Sequence, residues 1–163
     1  TLEIPKSIWQ SLSSVFTLPI SLIAIIVWTY FYNSQFFKLL IGFLFGAIAF
    51  GILLFIPEVP KENHTIYFLV SLLFLAISEI HIAPIIHSVL TKYSNPKYLA
   101  ILVSLAFVPT KIFALIFGLF NERFYDNPTL GVKFGIIAMI LISIGIIGYI
   151  IIDKKTTYNN GYK

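Results

Sequence analysis

The sequence predicts an all-α, polytopic membrane protein with about five transmembrane helices, and three observations carry that prediction. Of its 163 residues, 58% are hydrophobic and only 11% are charged, whereas a soluble domain carries about 25% charged residues. So much apolar surface needs the bilayer as its solvent. The apolar runs are continuous and do not alternate, which makes them helices and not barrel strands. Each run also reaches the roughly 20 residues that a helix needs to cross about 30 Å of hydrocarbon.

The first span is expected at about 8–32. It is too long for a secretory signal and has no small-residue cleavage pattern. Trp9, Trp28, Tyr30 and Tyr32 put amphipathic rings near its ends, where headgroups favour them. Tyr32-Asn33-Ser34 breaks the run, and a second span follows at about 36–57. Gly42, Gly46 and Ala49 form a small-residue stripe on it that lets a neighbouring helix approach closely. Pro57-Glu58-Val59-Pro60 leads into the third span, at about 65–93, which carries most of the buried polarity: Ser71, Ser78, Glu79, His81, His87 and Ser88. Ser94-Asn95-Pro96 separates it from a fourth at about 98–120, which holds Thr110 and Lys111. A fifth span is expected at about 130–152. Gly131 with Gly135 and Gly145 with Gly148 read as further packing stripes, and the only charge is Lys133 near the outer end, which suits a peripheral support helix. The spans make one membrane domain, 1–152, and 153–163 is expected to be a disordered polar tail.

Charge supplies orientation and excludes other classes. Six basic residues (Lys38, Lys92, Lys97, Lys154, Lys155, Lys163) fall on the side of the C-terminus and four (Lys6, Lys61, Arg123, Lys133) on the other. This bias puts the C-terminus in the cytoplasm of a multi-pass protein of the cell membrane. The formal charge of +4 is scattered singly through loops and ends, so no nucleic-acid partner is expected. The absence of cysteine excludes disulfides and thiolate metal sites. The chain starts at Thr1 and its only methionine is Met139, so it is expected to be a piece of a longer polypeptide.

Glu79 is the position where function is expected, because a carboxylate in hydrocarbon is costly and by default marks a site. It reads as a substrate or proton site; the alternatives are a carboxyl kept neutral or a structural ion pair. At about 100° per residue, Ser71, Leu75, Ser78, Glu79 and Ile82 share one side of the helix. Pro84 removes a backbone hydrogen bond beyond Glu79, and the resulting bend can serve gating. Lys111 and Glu79 each lie 16 residues from Asn95, so an antiparallel hairpin would bring them to one depth as a dynamic pair. A purely structural bridge, or an acid elsewhere facing Lys111, are the other readings. His81 lies about 200° around the helix from Glu79 and cannot share a cavity with it. His87 lies near the cytoplasmic end, and both histidines are weak candidates for proton relay. No histidine pair has metal-ligand spacing, and no catalytic constellation, phosphate loop or cofactor motif is present, so neither an enzyme nor a metal site is expected.

The run Glu79-x-x-x-x-Pro84-x-x-x-Ser88-x-x-Thr91-Lys92 resembles the tenth helix of proton-dependent oligopeptide transporters of the major facilitator superfamily. Their pattern reads roughly Gly-Glu-Leu-x-x-Ser-Pro-x-Gly-Leu-Ser-x-x-Thr-Lys. Trp9-Gln10-Ser11-Leu12 with Phe16 looks like the start of the family's eighth helix, Trp28 fits its end, and Lys38, Gly42 and Phe50 fit the ninth. The resemblance implies that the chain is helices eight to twelve, the C-terminal portion of a major facilitator fold, lacking helices one to seven. It implies a proton-coupled di- or tripeptide symporter working by alternating access, with small peptide and protons as partners and no cofactor. Glu79 would bind the peptide amino terminus or a proton, while Ser13 and Thr110 take the places of family substrate contacts. The family tryptophan falls at Ala106, the serine before the proline at Ala83, the following glycine at Ile86, and the eighth-helix proline at Ser14. These departures leave a transporter of another small solute, or a non-transporting membrane subunit or fragment, as the alternatives.

Overall fold

The computed structural model describes residues 6–31, 34–57, 59, 61–93, 96–98, 101, 104, 108–119 and 121–160. Among them there is no strand, and six α-helices stand out: α1 (Lys6–Tyr30), α2 (Gln35–Leu53), α3 (Thr65–Tyr93), α4 (Val108–Leu119), α5 (Asn121–Asp126) and α6 (Pro128–Asn160). Three helical segments among the described residues are long and apolar enough to cross a membrane: Gln35–Leu53, Glu62–Lys92 and Pro128–Lys154. Within α1, Val15–Tyr30 is a shorter apolar stretch. Much of the first half of the expected fourth span, including Ala106, lies outside the described residues.

Local chemistry sets the ends of α2. The Ser34 hydroxyl accepts a hydrogen bond from the Phe37 amide at 3.3 Å, an N-cap that satisfies one of the first-turn donors. At the other end, Leu54, Phe55 and Ile56 donate to the carbonyls three residues back, a tightening of the last turn ahead of Pro57, where a helix cannot continue. The helix therefore stops at Leu53 and not at the expected Pro57. The helix α3 covers Thr65–Tyr93 and runs unbroken through Pro84, as α1 does through Pro19. The expected disordered tail is a correction: α6 continues to Asn160, because 153–160 holds no proline or glycine to stop it.

The packing order is α1 on α3, α3 on α2, and α2 on α6. The α2–α3 seam is the tightest. A methyl group added at Gly42 would sit 2.8 Å from Ile82 Cγ1 and 2.9 Å from His81 Cβ, and one at Gly46 would lie 3.0 Å from Ser78 Oγ. The glycine stripe of α2 is thus the groove into which α3 fits. Ser71 crosses the same seam, donating to the Ala49 carbonyl at 2.8 Å. On the other flank, Phe50 lies against Gly135 and Phe36 against Tyr149, tying α2 to α6. Gly145 and Gly148 do not form the expected packing stripe: within this chain a Cβ at either would meet open space. The short α5 links α4 to α6, packing against both.

Candidate functional site

Two neighbouring residues of α3 face different surroundings. Ser78 is 2% exposed against Gly46 of α2, whereas Glu79 is exposed. The expected polar stripe is therefore split: Ser71 and Ser78 belong to the packed seam, and Glu79 stands outside it. A rotation of about 100° per residue is enough to separate them once the glycine groove fixes which side of α3 is inside. Glu79 lies near the middle of the 31-residue span Glu62–Lys92, far from either end.

Lys111 is exposed on α4, and among the described residues no ion pair joins it to Glu79. Thr110 and Ser13 sit on α4 and α1, but their side chains fall outside what the structure describes. Pro84 lines a cavity of about 410 Å³ between α1 and α3, with Trp28, Lys38 and His81 as its other notable walls. A second cavity, of about 450 Å³, lies at the other end of the bundle between the end of α2 and the start of α6, with Asp126 on its rim. No three of His, Cys, Asp and Glu come together as a metal set among the described residues.

Around the first cavity lies a cluster that the sequence does not reveal. His81 is 8% exposed, facing away from Glu79. Its Nε2 lies 2.9 Å from Trp28 Nε1, and its Nδ1 lies 2.7 Å from the Ile77 carbonyl oxygen. The two rings meet edge to face, with centroids 5.6 Å apart. Lys38 Nζ sits 4.8 Å from the centroid of the same indole, a cation–π contact. One turn further on, Gln35 donates to Ser88 Oγ at 2.8 Å. The sequence conceals the cluster because of stagger. Trp28 is two residues from the end of α1 and His81 is 12 from the end of α3, a difference of about 15 Å in rise. Matching helix ends would keep them apart. Trp28 is thus a tie between α1 and α3.

Comparison of the chain with models of known protein families, with curated proteins and with solved structures finds no match.

Proposed function

We propose that this chain is part of a proton-coupled small-peptide symporter of the cell membrane, working by alternating access with Glu79 as its ion- and substrate-handling carboxylate. One observation carries the reading: Glu79 is a carboxylate near the middle of a long apolar helical segment, and it is exposed where its neighbour Ser78 is buried. Left against lipid, that group is costly, so intramembrane acids face a cavity or a bundle interior. Its exposed face is then the wall of a central pathway that other helices complete. The resemblance of the run from Glu79 to Lys92 to the tenth helix of oligopeptide transporters supplies the substrate class.

In this reading the carboxylate holds either a proton or the ammonium group of a peptide, and so couples their movements across the membrane. Ser13 and Thr110 donate hydrogen bonds to the peptide backbone, and Lys111 neutralises Glu79 in the empty state. Pro84 gives α3 a point at which to flex. The packed α2–α3 seam moves as a rigid unit during rocking. An exposed mid-span Glu79 equally suits a membrane subunit that pairs this carboxylate with a basic residue of a partner helix, so the test must separate the two.

Uptake of labelled dialanine into vesicles, driven by an inward proton gradient, is the deciding experiment. The full-length protein is expected to accumulate dialanine, and Glu79→Gln is expected to lose gradient-driven uptake while folding and inserting normally. Full uptake by Glu79→Gln would remove the carboxylate from the mechanism. Absence of uptake of any di- or tripeptide by the well-folded parent would remove the symporter reading and leave the structural pair.

A further inference from the structure

We propose that His81 is a second proton-binding site, and that charging it releases α1 from α3. The inference rests on hydrogen-bond chemistry and does not depend on transport. An indole N–H can only donate and a backbone carbonyl can only accept. The contacts of His81 with Trp28 Nε1 and the Ile77 oxygen therefore fix its protonation: Nδ1–H donates to Ile77 and Nε2 accepts from Trp28. The ring is neutral as it stands. A further proton has one place to go, Nε2, where it would point at the indole N–H.

Charged His81 and Trp28 would then be two donors face to face, so the bond between α1 and α3 cannot survive protonation. Among the described residues that line the cavity there is no carboxylate. On α1 the cavity wall contributes Ser21, Ile25 and Trp28, none of them charged. On α2 the facing groups are Gly42, which touches the His81 Cβ position, and Lys38, a second cation on the same indole. On α3 itself, Glu79 and His87 are exposed, and His81 is buried. An imidazolium at this point meets a like charge and no carboxylate among the cavity walls. Relief is available by rotation. The cavity of about 410 Å³ lies beside the ring, and a charged ring swung into that space loses Trp28. Acid thereby loosens α1 while the α2–α3 seam stays closed.

The chain has two tryptophans, so Trp9→Phe leaves Trp28 as the sole reporter. In lipid vesicles taken from about pH 8 to about pH 5, the range in which imidazole ordinarily changes charge, the Trp28 emission is expected to red-shift reversibly and become more open to acrylamide quenching. In the Trp9→Phe/His81→Gln chain, glutamine still offers an acceptor but does not titrate, and the transition is expected to vanish. It should persist in Trp9→Phe/His87→Gln. Should Trp9→Phe fail to fold, hydrogen exchange of α1 amides at the two pH values, in the parent and in His81→Gln, reads the same release. Emission and exchange that ignore pH, or a transition that survives His81→Gln, would overturn the proposal. Neither readout requires that any peptide be transported.

Discussion

On the side of α3 that meets α2, Ser71 and Ser78 are 5% and 2% exposed, and a methyl group added at Gly42 or Gly46 would crowd its α3 neighbours. One residue from that seam, Glu79 is exposed. On the first side the Ala49 carbonyl answers the Ser71 hydroxyl. On the second, Glu79 has no ion pair among the described residues. The contrast teaches a division of labour. Close approach and short hydrogen bonds hold the helices together, since lipid offers no hydrophobic drive for their association. The carboxylate is kept off that seam.

The largest effect should come from breaking the first side and sparing the second. Gly42→Leu drives a side chain into Ile82 and His81, and we expect it to cost about 3 kcal/mol, the upper end of overpacking. Glu79→Leu alters a group that is exposed both in the packed bundle and in separated helices, so its expected cost is under about 0.5 kcal/mol. Reversible unfolding in mixed detergent micelles compares the two directly. Equal losses would mean that Glu79 is part of the packing after all.

How much of this was legible depends on which interactions are local. The all-helical class, the bounds of α3, the close-packing role of Gly42 and Gly46, and the opposition of His81 to Glu79 follow from run length, small-residue spacing and helical angle. Each is a property of one segment. The side on which Ser78 would lie is not, because 100° of rotation separates two answers and only the α2 groove chooses between them. The stagger that brings Trp28 to His81 is likewise a relation between α1 and α3 that neither run encodes. The Glu79–Lys111 depth match assumes a tight hairpin around Asn95, which lies outside the described residues. The tail is misjudged for a simpler reason: its polar composition is compatible with a helix, and α6 runs on to Asn160.

A smaller test sharpens the seam itself. Ser71→Ala removes the hydroxyl that donates to the Ala49 carbonyl across 2.8 Å. Hydrogen bonds between membrane helices average about 0.6 kcal/mol, so the expected loss in the same unfolding assay is of that order. Ser143→Ala is the matched control, because Ser143 donates to Met139 within its own helix and ties nothing to a neighbour. If the two serines cost the same, the α2–α3 bond contributes nothing specific to association.

The smallest expected effect concerns two glycine positions on α6. At Gly135 a methyl group would lie 3.2 Å from the Phe50 ring, whereas at Gly145 nothing stands within 4 Å. Gly135→Ala must therefore move Phe50 by a few tenths of an ångström, and a modest loss of stability is expected. Gly145→Ala has no steric cost and gains helix propensity, so stability should hold or rise by up to about 1 kcal/mol. The informative outcome is the reverse one. A destabilising Gly145→Ala in the complete protein, with Gly145→Ala neutral in this chain by itself, would show that another helix lies against the outer face of α6. That face would then join the Glu79 face of α3 as a surface that the rest of the assembly covers.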